Sequence, residues 1–385
     1  MTANELADKL GVNVRTVQKW AKDGKIPGAI LNGRLWLIPD SICYDGKAFS
    51  NTRTDEPLCV PLPLLCSSFP VGRCFEYINI IENQYERNIA MAEYYYYIGD
   101  VEKTVEYAEG YLGAEDLNIM YSAGVVCTFA NIFSGHMRLA NLISELITHE
   151  LQTDKALSRE FEAFSALVAN IGDIILDIPF DTVPDLYKHI PYLPDGLKVY
   201  ACYLLAYQAY NQKNYEKALA ICKLSFSFAR EFYPIASVYV YMVATASSVM
   251  LKNTIDGKRY YMQAWDIVYK DKLFGLFATH HKILHGYNEL YIKREYPAEY
   301  KIMLSIIKDF NEGWRKLHKV DEYNFVHTLT PTEISIAILY NRNWTASDIS
   351  KHMDLSERTV KNYIRYLYEK LGINKKSELK QFLNW

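Results

Sequence analysis

Residues 329–383 read LTPTEISIAILYNRNWTASDISKHMDLSERTVKNYIRYLYEKLGINKKSELKQFL, and four helix starts can be marked on them. Thr330 is a candidate N-cap, with Pro331 at the first helical position and Glu333 three residues on. That is a capping box, in which each side chain satisfies the other's backbone N–H. Thr345 with Asp348 repeats the pattern, and Ser356 and Asn374 are further side chains able to cap orphan amides. Between the starts, apolar residues recur at three and four: Ile334, Ile338 and Leu339, then Ile349 and Met353, then Val360, Ile364, Leu367 and Leu371. Gly372 is placed to end the longest helix in a left-handed cap. With Val360, Ile364 and Leu367 inward, Arg358, Lys361, Asn362 and Arg365 project from the opposite side. Arginine and lysine there neutralise phosphates or read guanine, and asparagine pairs with adenine, so the face suits a DNA major groove. Charge alone would favour an ordinary solvated face of an amphipathic helix.

The order of the pieces separates the two readings. LTPTE, the Ala-Ser-Asp-Ile-Ser turn of helix, LSERTVKNYI and KLGI, at this spacing, closely resemble the LuxR (GerE-type) helix-turn-helix. The resemblance implies a tetrahelical module over residues 329–385 that binds double-stranded DNA. It places Ser356, Arg358, Thr359, Lys361, Asn362 and Arg365 at the bases, and Lys375 and Lys376 at phosphates. Tyr363 stands where many relatives carry histidine, which leaves the backbone contact at that position open.

Net charge is −3, which looks unsuited to nucleic acid until it is divided along the chain. Residues 1–38 carry +3 and residues 329–385 carry +3, leaving −9 for the centre. Two basic ends around an acidic middle suit ends that touch DNA and a middle that does not.

The first forty residues form a second candidate reader. Thr2 and Glu5 make a capping box, Leu6, Ala7 and Leu10 face inward, and Gly11 closes the helix. Asn13 caps a second helix in which Val14, Val17 and Ala21 pack, while Arg15, Gln18, Lys19 and Lys22 are exposed. Asn32-Gly33, between strand-forming residues, signals a hairpin, and Trp20 and Trp36 read as core. ELADKLGV, RTVQKW, GKIP and NGRLWLIP resemble the excisionase and MerR-type winged helix. That resemblance implies base contacts from Arg15, Thr16, Gln18 and Lys19 and a wing contact from Arg34. A degenerate docking domain is the plainer alternative.

From residue 41 to 74 periodicity disappears, and Pro57, Pro61, Pro63 and Pro70 punctuate an apolar run that cannot be one helix. We read a linker, part of it lying extended along the next domain. Residues 75–320 then read as helix after helix. Turns recur at Gly99-Asp100, Gly135-His136, Lys213-Asn214 and Lys252-Asn253, with spacings of 36, 78 and 39 residues, so a period near 38. Such a period marks stacked helical hairpins. AYNQKNYEKALAICKLSF resembles the second half of a tetratricopeptide (TPR) motif, with Tyr215 and Ala218 where that family has an aromatic and a small residue. The motif's Trp-Leu-Gly start is missing, so the array is TPR-like. It implies a concave face for a peptide, protein or small-molecule effector.

Seven cysteines, an odd number with no CxxC pair, point to reduced thiols in a cytoplasm. A zinc site from Cys43, Cys59, Cys66 and Cys74 would need irregular spacings and is not expected. His281, His285 and Glu289 lie four apart on an expected helix and could offer three ligands on one face, but helical spacing produces such trios by itself. No phosphate-binding loop, dinucleotide fingerprint or nucleophile elbow is present, so no enzyme, cofactor or metal is expected. Nor is a membrane span, because no uncharged apolar run reaches 18 residues.

The fold class expected is therefore mainly α: a winged helix with a small hairpin at residues 1–40, a TPR-like array at 75–320, and a tetrahelical reader at 329–385. The function expected is sequence-specific transcription regulation, as a homodimer on DNA and with RNA polymerase as a further partner. The alternative is an interaction scaffold whose ends no longer bind DNA.

Overall fold

The computed structural model describes residues 1–32, 35–38, 42–44, 49–51, 59–136, 138–143, 145, 158–176, 182–317 and 329–382. Helices α1 (Ala3–Leu10) and α2 (Val14–Lys22) open the chain. The Thr2–Glu5 capping box forms, Gly11 ends α1 at φ +64°, and the Asn13 side chain accepts the Arg15 N–H at 2.9 Å. Strands β1 (Ile30–Asn32) and β2 (Leu35–Leu37) pair antiparallel with Asn32 opposite Leu35. Gly33 and Arg34, and with them the expected wing contact, lie outside the described residues. Leu6, Ala7, Val17, Ala21, Ile26 and Ile38 form a core of their own, with Trp20 and Trp36 packed against it.

The stretch from residue 41, read from sequence as linker, begins with a second antiparallel hairpin, β3 (Ile42–Tyr44) with β4 (Phe49–Asn51). Ile42 joins the front core, and Trp20 packs on Tyr44 and Phe49 at 5.4 and 5.2 Å between ring centroids. Strands of three residues are too short to establish an alternation, which is why the pattern did not show them. Residues 59–73 form a strap through the next domain, with Leu62, Leu64, Leu65 and Phe69 buried.

Turns within the strap satisfy some of its amides, as where the Cys66 N–H donates to the Leu62 carbonyl at 3.0 Å, and array side chains take others. Glu93 is fully buried and accepts from the N–H groups of Leu64 and Leu65 at 2.8 and 2.9 Å. Burial pushes its carboxyl up to about 8, opposed by those two amides and by the Tyr97 hydroxyl. Ser122 Oγ accepts the Leu62 N–H at 2.9 Å, and the Asp271 carboxylate accepts the N–H groups of Gly72 and Cys74 at 2.8 and 2.9 Å.

The array comprises α3 (Cys74–Ile80), α4 (Gln84–Ile98), α5 (Val101–Ala108), α6 (Leu117–Phe133), α7 (Arg159–Leu176), α8 (Asp195–Asn211), α9 (Tyr215–Phe228), α10 (Pro234–Met250), α11 (Thr254–Asp271), α12 (Phe274–Thr279) and α13 (Pro297–Leu317). Consecutive helices pack as hairpins: α4 on α5, α8 on α9, α10 on α11. Three of the recurrent turns share one construction. A left-handed residue (Gly99, Lys213 or Lys252) ends one helix, and Asp100, Asn214 or Asn253 then caps the next. At the fourth, Gly135 is also left-handed, at φ +70°.

In an open stack each repeat meets only its neighbours. Here α12 returns to α4 and α13 to α6. Glycines permit both approaches. A Cβ on Gly275 would meet the Tyr97 carbonyl oxygen at 2.7 Å, and one on Gly313 the Ile132 carbonyl oxygen at 1.7 Å. Of the four consecutive tyrosines, Tyr97 is buried and Tyr94, Tyr95 and Tyr96 are half-buried.

Helices α14 (Pro331–Asn341), α15 (Ala346–Met353), α16 (Glu357–Leu371) and α17 (Lys376–Leu379) form the back module. Both capping boxes form, and Gly372 ends α16 at φ +62°. Asn374 does not cap. Lys375 holds that position without a side-chain bond, and the Asn374 N–H instead donates to Glu378 at 2.9 Å. The module's buried residues, Ile349, Val360 and Leu367 among them, belong to one continuous core with the array. No helix among the described residues is long and apolar enough to cross a membrane.

Candidate nucleic-acid interface

Helix α16 carries the C-terminal candidate residues. Ser356 Oγ accepts the Thr359 N–H at 3.0 Å and lies 2.7 Å from the Thr359 hydroxyl. Both hydroxyls are thus engaged in the cap, and Thr359 is half-buried. Val360, Leu367 and Leu371 are buried, and Ile364 is half-buried beside them. This orientation leaves Arg358, Lys361 and Arg365 exposed on the far side, with Asn362 half-buried between them. Each of two cations has an acidic neighbour one turn away: Lys361 Nζ lies 2.6 Å from Glu357, and Arg365 Nε 3.8 Å from Glu369. Such exposed pairs are worth a fraction of a kcal/mol, roughly 0.3–0.5, so phosphates can displace them. Lys375 is exposed, 3.7 Å from Glu378. Tyr363 is half-buried against the core, on the flank rather than the outward arc.

The polar contacts between the back module and the array centre on α15 and the residues flanking it, with Arg342 over the Tyr215 ring at 5.8 Å and Lys252 over Trp344 at 5.7 Å beside them. Lys252, from the turn between α10 and α11, pairs with Asp348 at 3.2 Å, and Arg294 pairs with Asp354 at 2.6 Å. Between these pairs the His352 Nε2–H donates to the His285 carbonyl at 2.8 Å, and its ring packs on Tyr287 at 4.9 Å. Met353 sits against Gly286, where a Cβ would meet its Cε at 2.7 Å. Burial holds the His352 imidazole below its usual range. Nothing in the sequence pattern marked these residues, because the bonds join positions 67 apart and one partner is a carbonyl that any residue supplies.

At the front, Arg15 and Lys19 are exposed on α2, and Thr16 and Gln18 are half-buried. Arg15 lies in the first turn of α2, next to the Asn13 cap, and Lys19 in the last.

The His281, His285 and Glu289 trio shares no helical face. Helix α12 ends at Thr279, and His285 and Gly286 are left-handed at φ +50° and +84°. The His281 Nδ1–H donates to the Ala278 carbonyl at 2.8 Å, His285 Nε2 meets the Tyr210 hydroxyl at 2.9 Å, and Glu289 accepts from Tyr300 at 3.2 Å. Burial pushes His280 down to about 4 and His281 and His285 to about 3. Among the described residues no group of His, Cys, Asp or Glu is placed to hold a metal ion. Cys59, Cys66 and Cys74 are free thiols, and the Cys43 side chain lies outside the described residues.

The class defined by this geometry is a helical array with a helix-turn-helix module at each end. Comparison with family models agrees for the ends: residues 327–383 match the family described as bacterial regulatory proteins, luxR family, and residues 1–41 match a helix-turn-helix domain family. Comparison of the chain with curated proteins and with solved structures returns no match. Two modules of this kind support a DNA-binding transcription regulator.

Proposed function

We propose that the chain reads a specific DNA sequence through α16, with α2 as a second reader, and that the array conveys a signal to α16. The observation that carries this is the mode of docking. The array grips α15 by two ion pairs and a buried histidine, while the cationic arc of Arg358, Lys361 and Arg365 stays exposed. Asn362 completes that arc as the adenine-pairing residue, and Lys375 and Lys376 hold phosphates. At the front, Arg15, Thr16, Gln18 and Lys19 meet the bases and Arg34 the backbone. Two copies bind together on a near-palindromic operator, with RNA polymerase as the downstream partner. A peptide, protein or small-molecule effector acts on the array surface that the strap leaves uncovered.

The test is the affinity of the intact chain for its selected sites as salt is raised. About 0.9 log units of affinity should be lost per log unit of salt for each phosphate contacted. Lys361→Ala should weaken the specific complex by about 1–3 kcal/mol if it reads a base. A chain that shows no sequence-dependent binding, and purifies with a stoichiometric protein partner, is the scaffold instead.

A further inference from the structure

Tyr366 is a large side chain in an unexpected place. It follows Asn362 by four and Arg358 by eight, which puts it on the outward arc of α16. It is 45% exposed, and among the described residues of the back module no other large hydrophobic side chain is as exposed. A single exposed aromatic ring is ordinary; one on the helix face that carries three cations has a use only if a neighbour gives it one.

Its neighbour supplies one. The Arg365 guanidinium lies over the Tyr366 ring, 5.1 Å from the centroid, and Arg365 Nε is 3.8 Å from Glu369. A guanidinium held over a ring by cation–π attraction can still offer its terminal N–H groups for bidentate pairing with guanine or a phosphate. Lys361 differs: its ammonium is clasped head-on by Glu357 at 2.6 Å, and that contact must be surrendered before the lysine can bind anything else. Arg365 is therefore the better prepared of the two.

We propose that Tyr366 is a positioning residue for base readout, holding the Arg365 fork edge-outward so that discrimination at one base pair depends on both residues. The assignment rests on the DNA-reading role proposed for α16. It is tested with the full chain on a panel of operators, each changed at one base pair, comparing wild type with Tyr366→Ala, Tyr366→Phe and Arg365→Ala. Arg365→Ala and Tyr366→Ala should lose discrimination at the same base pair, the tyrosine variant by about ten-fold, while Tyr366→Phe keeps it. The assignment is overturned if Tyr366→Ala discriminates like wild type, if its loss is uniform over the panel, or if the base pair affected is one that Arg365→Ala leaves alone. Wild-type chain without sequence-dependent binding would instead sink the functional reading, and this assignment with it.

Discussion

The two helix-turn-helix modules are built alike and attached differently. Each opens on a capping box and sets an N-capped second helix with exposed cations after a tight turn. The front module has its own core around Leu6, Val17 and Ile38, whereas the buried residues of the back module run without a break into the array. A module with a private core can change its surroundings without changing its stability. One that shares a core transmits strain, because packed interiors deform little. If the array conveys a signal as proposed, this difference routes it to the back module and leaves the front module outside it.

Cavities make the sharpest test of that division. Leu6→Ala and Ile349→Ala should each cost about 2–5 kcal/mol locally. Hydrogen exchange should then quicken only within residues 1–51 for the first, and across α15, α16 and the adjoining array for the second. Quickened exchange in the array of Leu6→Ala would break the comparison.

Acid should separate the two bodies next. No histidine occurs in residues 1–51, while His280, His281, His285 and His352 are all held low by burial. A group whose folded pKa is depressed leaves the unfolded chain binding more protons once pH drops below about 6.5, so stability is lost as pH falls. Glu93 and Glu289, raised by burial, work in the opposite sense. The four histidines outnumber these two and Asp271, which burial also raises, so between about pH 6.5 and 5 the array and back module should lose stability while the front module does not. Thermal melts that show both bodies softening equally would argue against separate cores.

Gly286→Ala is subtler. The added Cβ meets Met353 and the residue must keep φ +84°, so about 1–2 kcal/mol of the docking should go. The isolated specificity of α16 should survive, with any effector response lost, as measured by operator binding with and without the effector. Smallest of all, Arg294→Ala removes a pair exposed on both sides and should cost at most about 0.5 kcal/mol. A larger cost would show that the docking is more electrostatic than the geometry suggests.

What the sequence disclosed was local. The caps at Thr2, Asn13, Thr330, Thr345 and Ser356 are written within three residues of the amides they satisfy, and each forms. The apolar spacing of α16 likewise predicts which of its faces is buried. Tyr366 was equally legible, since it stands one turn after Asn362, but an aromatic residue is read as core by habit. The rest was non-local. The helix expected through His281, His285 and Glu289 fails at two left-handed residues, and Gly286 was the available warning. Nothing local distinguishes Glu93 from a surface acid, because the amides it accepts, those of Leu64 and Leu65, lie 29 and 28 residues away. The closure of α12 onto α4 depends on a glycine meeting a carbonyl, a contact that no period reveals.

The strap has one more consequence, best put in base pairs. Asn51 ends the last strand of the front module and Cys59 is already hydrogen-bonded to Asn118 of the array, so eight residue steps join them. However those steps run, they span at most about 27 Å. At roughly 3.4 Å per base pair that is a leash of about eight base pairs. If both modules engage one DNA as proposed, that tether adds at most about eight base pairs to the reach of the folded bodies it joins, and an insertion beyond that slack should leave one of the two contacts unmade.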